Sequence, residues 1–265
     1  MSRPSGETFS LSFEYSSKRF DELQTSPRSR EKGMSMIKAL KSVVALVTLL
    51  AATAVAAQPA NAANWSSSDK WGTWSNGGYT VRNNVWGGGA GAQSIWANSY
   101  SNWGVWANHP NTGGVKSYPH SAKYINKRIS QLGHLTSNFN VSRPGSGAYA
   151  TAYDIWANGH AYEIMLWMNK QGAVGAIGSR QTTVSVGGHT WDVYKGSNGS
   201  NEVFSFLRTS NTNSGSVDIK AVMNWIRNRG WMGDTTISDL QFGFEITSSN
   251  GGMNFTSNSF SVSVS

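Results

Sequence analysis

Glutamate is scarce in the last 203 residues of this 265-residue chain, where Glu163, Glu202 and Glu245 are the only three. Two of them interrupt strongly apolar runs: Glu163 in AYEIMLWMN (161 to 169) and Glu245 in LQFGFEIT (240 to 247). Side chains alternate between the two faces of a strand. That period puts Ile164, Leu166 and Met168 on one face, and Glu163, Met165 and Trp167 on the other. Likewise Leu240, Phe242, Phe244 and Ile246 form a core face, opposite Gln241, Gly243, Glu245 and Thr247. Gly243 is expected to leave room there for an approaching molecule. An acid beside a thioether and an indole suits the floor of a groove; a solvated strand end at a hairpin is the other reading of Glu163. Two carboxylates across one groove are what glycoside hydrolysis requires, since one acid protonates the departing oxygen while the other carboxylate attacks the anomeric carbon or activates water. Asp154 lies on the strand before Glu163, in YATAYDIWANGHAYEIMLW, on the face of the small Ala150 and Ala152. It could hydrogen-bond and orient Glu163, or cap the turn at ANGH.

Other chemistries lack their residues. The five histidines, His109, His120, His134, His160 and His189, show no metal-ligand spacing, and each reads as a surface or hairpin position. No glycine-rich segment reads as a phosphate loop or a nucleophile elbow. No cofactor or metal is expected. The chain has no cysteine, which excludes disulfides and thiolate zinc sites.

The elements that must position these acids are short aromatic or apolar alternations between Gly, Ser and Asn clusters: GGYTVRNNVWG, GAYATAYDIW, AYEIMLWMN, HTWDVYKG, NEVFSFLRTS, LQFGFEIT and NSFSVSVS. Many short strands with turn signals between them predict an all-β sandwich or barrel. One segment departs from this pattern. Ile219, Val222, Met223 and Ile226 recur at helical spacing, with Ser216 as the expected cap and Gly230 as the stop, so a single α-helix should pack on the β body. Seven of the twelve tryptophans lie between residues 65 and 106. Indoles fill cores or stack on sugar rings. For Trp86 the second role is favoured, because YTVRNNVWG places Thr80, Arg82, Asn84 and Trp86 on one polar face.

The chain divides near residue 62. Lys38 and Lys41 precede a 15-residue apolar run, Val43 to Ala57, and Ala60, Asn61 and Ala62 form a small-residue cleavage pattern. Residues 34 to 62 read as a secretory signal peptide, and 15 residues are too few for a membrane-spanning helix of about 20. Residues 1 to 33 read as an extension from a misplaced start. The expected catalytic domain is 63 to 265, secreted, monomeric and free of the membrane. It carries 14 Lys and Arg against 9 Asp and Glu, a net charge of +5 rather than the +8 of the whole chain. These charges are scattered rather than clustered, so nucleic acid is not an expected partner.

The motifs NNVWG, VKSYP (115 to 119), AYDIW, EIMLW, YKGSNGSNEVFSFL (194 to 207) and FGFEI, in that order, resemble glycoside hydrolase family 12 over nearly all of residues 63 to 265. The resemblance implies a two-sheet antiparallel β-jelly roll with a concave substrate cleft, acting as a retaining endo-β-1,4-glucanase on cellulose-like or related β-glucans, with xyloglucan the alternative substrate. It implies Glu163 as nucleophile, Glu245 as acid/base, Asp154 as support for the nucleophile, Asn84 and Trp86 as sugar contacts on the non-reducing side, and Met165 beside the nucleophile. Trp167, on the face of Glu163, is a further expected substrate contact. The chain lacks the cysteines of many relatives, and its 157 to 162 hairpin is short. A non-catalytic carbohydrate-binding module and an endoxylanase are the rival readings.

Overall fold

The computed structural model describes residues 62–265. The expected leader and signal segment, apart from Ala62, lie outside the described residues. Six strands form one sheet, in the order β1 (Trp65–Ser67), β4 (Ala92–Ala97), β5 (Trp103–Asn108), β15 (Met253–Val264), β7 (Leu135–Ser142) and β13 (Ser214–Asp218). Nine form the other: β10 (Ser179–Val186), β11 (His189–Ser197), β12 (Glu202–Arg208), β9 (Tyr162–Gln171), β8 (Ala148–Ala157), β14 (Thr236–Ser248), β6 (His120–Arg128), β3 (Tyr79–Arg82) and β2 (Thr73–Asn76). Among the described residues the result is the expected two-sheet sandwich with one α-helix, α1 (Ile219–Asn228).

The two sheets meet through aromatic rings. Trp103 and Phe244 lie 5.7 Å apart, Phe139 and Phe242 5.3 Å, Tyr149 and Phe255 4.9 Å, and Phe242 and Phe260 5.1 Å between centroids. These are favourable separations for aromatic pairs, and each ring also contributes a large apolar surface. The alternation read from the sequence holds at the centre of the fold. Ile164, Leu166, Met168, Leu240, Phe242, Phe244 and Ile246 are all fully buried between the sheets. β8 is buried on both faces, with Tyr149, Tyr153 and Ile155 in the sandwich and Ala150 and Ala152 on the other side. There the two alanines join Met165, Trp167 and Leu207 in a second, smaller apolar cluster. Small side chains on the middle strand give the larger ones on β9 space to lie flat.

Several expectations need correction. One strand pair is parallel, β12 with β9, because β10, β11 and β12 form a meander whose third strand returns beside β9 in the same direction. The helix is capped by Asp218, the last residue of β13, whose Oδ1 accepts the Ala221 N–H at 2.9 Å, and not by Ser216, two residues further from the first turn. Gly230 does follow the helix, with φ +69°. His109 and His120 are buried rather than superficial. Both rings have polar partners that permit this: His109 lies 2.8 Å from Gln93 Oε1, and His120 Nδ1 donates to the Tyr118 carbonyl at 2.7 Å.

Gly243 is required by a neighbouring strand, not by a ligand. A Cβ there would stand 2.0 Å from the Pro119 carbonyl oxygen and 2.8 Å from His120 Cα, so β14 and β6 approach too closely for any side chain. Gly243→Ala should therefore destabilise by roughly 2 kcal/mol or more. Calorimetry should show a thermal midpoint lower by about 4 to 8 °C; an unchanged midpoint would mean that the strands separate at no cost.

Candidate active site

The outward face of the nine-stranded sheet holds a groove of about 620 Å³. All seven residues singled out in the sequence, Asn84, Trp86, Asp154, Glu163, Met165, Trp167 and Glu245, line it. Arg82, Tyr118, His120, Trp156, Asn198, Asp239 and Gln241 line it as well. A second concavity around His189 and Arg208 contains no carboxylate.

Strand register sets where each acid stands. Glu163 on β9 lies opposite Trp156 of β8, whereas Glu245 on β14 lies opposite Ala150 of the same strand. Six residues of flat strand span about 20 Å, too far for two carboxylates to act on one bond. The charge of Glu163 nonetheless reaches Glu245, so the strands must curve to shorten that span. β9 has an extra residue, Met168, where its register with β8 shifts between Thr151 and Ala152, and β14 shifts near both of its ends. Bulges of this kind bend and twist a strand.

Electrostatics report the outcome. Glu245 is pushed up to about 7, first by burial and then by the charge of Glu163. Burial also raises Glu163, against a lowering hydrogen bond from Asn198 Nδ2 to Oε2 at 3.1 Å. Asp154 is held well above the usual carboxylate range by burial, then by Glu163, Glu245 and Asp239. Acids that interact this strongly titrate as a group. Glu245, at about 7, can therefore hold or release a proton near neutral pH beside a second carboxyl, as acid and nucleophile chemistry requires.

The expected hydrogen bond between Asp154 and Glu163 is absent. Register explains this: Asp154 faces Met165, and Glu163 faces Trp156, which makes the two acids diagonal neighbours with Cα atoms about 7 to 8 Å apart. Their coupling is through charge. The polar face expected from Thr80 to Trp86 also differs from a plain strand. β3 ends at Arg82, Asn84 adopts φ +48°, and Thr80 is not among the groove residues. The Asn84 side chain donates to the Tyr118 carbonyl at 3.1 Å, and Val85 pairs with Ser117. That turn leaves Trp86 52% exposed at the groove, which a continued strand would not ensure.

Among the residues missed, Asp239 had a signal, since it continues the period of Gln241, Gly243 and Glu245, and its Oδ2 accepts from Gln241 at 2.7 Å. Asn198 had none, because a Gly/Ser/Asn loop reads as a turn whatever it touches. His120 follows VKSYP directly, but nothing in its spacing marks it. Its ring stacks on Tyr118 at 4.9 Å, and burial holds it down to about 4, so it is neutral in the groove.

Known proteins bear the same features. The profile of Glycosyl hydrolase family 12 matches residues 77–265. The chain is 32% identical over 216 residues to the probable xyloglucan-specific endo-beta-1,4-glucanase A of Aspergillus terreus, covering 74% of this chain and 86% of that one. It is 33% identical over 213 residues to endoglucanase S of Pectobacterium parmentieri, covering 68% and 80%. Among solved structures, the xyloglucanase domain of NopAA, a type three effector from Sinorhizobium fredii in complex with cellobiose, superposes with a TM-score of 0.74 at 42% identity, over 76% of this chain and 99% of that one. By sequence, fold and matched length, the chain belongs to glycosyl hydrolase family 12.

Proposed function

We propose that this glycoside hydrolase is a retaining endo-β-1,4-glucanase in which Glu163 attacks the anomeric carbon and Glu245 protonates the departing oxygen. The observation that carries this reading is the pair of glutamates lining one groove, of which Glu245 is pushed up to about 7 and so keeps its proton for the first step. Formation of the glycosyl-enzyme removes the charge of Glu163. One cause of the raised pKa of Glu245 then vanishes, and Glu245 is free to take a proton from water in the second step. Burial, and then the charges of Glu163, Glu245 and Asp239, raise Asp154 well above the usual carboxylate range, so it favours its protonated form beside the nucleophile. Trp86 offers a stacking surface for a glucosyl unit and Asn84 a polar contact, while Met165 and Trp167 form the floor. No helix among the described residues is long and apolar enough to cross a membrane. Residues 34 to 62 act as the signal peptide of a secreted, monomeric domain of residues 63 to 265.

A second reading, that xyloglucan is the preferred polymer, is favoured by the names of the Aspergillus relative and the NopAA domain. Assays on xyloglucan, mixed-linkage glucan and a soluble cellulose separate the two, since a xyloglucan-specific enzyme leaves the other two polymers nearly intact.

Variants, pH dependence and melting each test the proposal. Glu163→Gln should lose at least about 10³-fold in kcat while still binding glucan, and Glu245→Gln should still glycosylate on a substrate with a good leaving group. Azide should restore turnover in that second variant, giving a β-glycosyl azide. For the wild type, kcat/KM should fall as pH rises through about 7, where Glu245 loses its proton, and the Gln variant should lack that limb. Because the folded pKa of Glu245 exceeds its unfolded value, its ionisation weakens the fold progressively from about pH 4.5 to 7. Glu245→Gln should thus melt higher than wild type above pH 7 and together with it below pH 4. Wild-type activity in Glu163→Gln, or a product of inverted configuration, contradicts the assignment.

Trp86→Ala should weaken oligosaccharide binding by about 0.5 to 1.5 kcal/mol, the order of a specific contact at an aromatic face, with an unchanged melting point in calorimetry. A large loss of stability would place Trp86 among the structural aromatics. Enzyme recovered from culture medium should begin at Ala63 on N-terminal sequencing, and a start before residue 60 would refute the processing site.

A further inference from the structure

Asn198 has no part in the chemistry above, yet it is the one residue with a hydrogen bond to the Glu163 carboxylate among the described residues. It lies in the loop between β11 and β12. Its Oδ1 accepts the backbone N–H groups of Ser200 and Asn201, both at 2.9 Å. With its carbonyl end held by two donors, the amide cannot turn over, and its NH₂ end must face Glu163 Oε2, 3.1 Å away. The loop is itself anchored to the neighbouring hairpin. Glu202 N donates to the Ala161 carbonyl at 3.0 Å, and the Asn201 side chain donates to the His160 carbonyl. Glu163 Oε1 accepts no hydrogen bond among the described residues.

We infer that Asn198 is a positioning residue for the nucleophile: it tethers Oε2, holds the carboxylate in its ionised form and leaves Oε1 as the attacking atom. This rests on the reading of Glu163 as nucleophile. In the first step Oε1 bonds to the anomeric carbon as the glycosidic C–O bond breaks, and the Glu245 proton goes to the departing oxygen. Oε2 becomes the carbonyl oxygen of the ester, still against Asn198 Nδ2. In the second step water gives a proton to Glu245 and displaces the ester, and the electron pair returns to the Glu163 carboxylate. A hydrogen bond to a charged acceptor is stronger than one to a neutral ester, so Asn198 favours release of the intermediate.

No other ionisable group facing this part of the groove has a hydrogen bond to the Glu163 carboxylate among the described residues. Asp154 from β8 and Asp239 and Glu245 from β14 are acids and offer it no cation. His120 from β6 is neutral above about 4, and His160 stands at the rim. Arg82 from β3 is the cation of the groove, and it lines the same cavity from two strands beyond β14. The lowering effect on Glu163 comes from the Asn198 hydrogen bond.

The test compares Asn198→Ala, which removes donor and acceptor, with Asn198→Asp, which keeps an acceptor for the turn but removes the donor. In Asn198→Ala the acid limb of the kcat/KM profile should move up by about one pH unit, as expected for loss of a hydrogen bond to a charged group, and kcat should fall about tenfold. In Asn198→Asp the limb should move further, because a negative charge replaces the donor. An acid limb that stays in place, even with kcat lowered equally at every pH, overturns the inference and leaves Asn198 a loop residue only. If the alanine variant does not fold, the aspartate variant decides alone by the same limb. Glu163→Gln measured alongside separates the two levels: an active Glu163→Gln defeats the reading of the site, whereas an inactive one with an unmoved limb in the Asn198 variants defeats only this inference.

Discussion

A sheet that is core on one face and substrate floor on the other constrains everything else in this enzyme. Ile164 and Phe244 are fully buried between the sheets, and each sits next in sequence to an acid that faces the groove. Because side chains alternate with a period of two, a slip of one residue in β9 or β14 would drive a carboxylate into the sandwich and expose an aliphatic or aromatic side chain in its place. The aromatic pairs that hold the sheets together therefore also fix the position of the acids. β8 mediates between them. Its alanines take so little space that Met165 and Trp167 close over the floor, while its register sets Glu163 and Glu245 six positions apart and leaves curvature to bring them together.

The second dependence is on charge. None of the four groove acids, Asp154, Glu163, Asp239 and Glu245, takes part in an ion pair among the described residues; the salt bridges there lie elsewhere. Burial raises Asp154, Glu163 and Glu245, and the charge of Glu163 adds to the rise of Glu245, which reaches about 7. An ion pair with a lysine or arginine would have had the opposite effect and favoured the ionised forms. On the proposed reading, the cleft gives up some folding stability for a proton that Glu245 can deliver, a common compromise at catalytic sites.

Much of this was legible because strand alternation and scarcity of glutamate coincide. AYEIMLWMN and LQFGFEIT assign their faces without help, and those faces hold in the fold. The helix was visible from the spacing of Ile219, Val222, Met223 and Ile226, but its cap was not, since Ser216 and Asp218 are both good caps and only the turn geometry chooses. Of the strands outside the seven quoted segments, β10 and β13 are poor in large apolar residues, as suits strands at the outer edges of sheets. Asn84 and Trp86 reached the groove by a left-handed turn rather than by the expected strand, so agreement there came through different geometry. Asn198 and His120 depend on contacts between segments distant in the chain, which no local pattern records.

The most direct measurement of the central claim is covalent. A 2-deoxy-2-fluoro-β-cellotriosyl fluoride carries a good leaving group and slows both steps, the second enough for the glycosyl-enzyme to accumulate. Peptide mapping by mass spectrometry after brief incubation should find one fluoroglycosyl label, on Glu163. A label on Glu245 or Asp154, or time-dependent hydrolysis with no labelled peptide, would contradict the account.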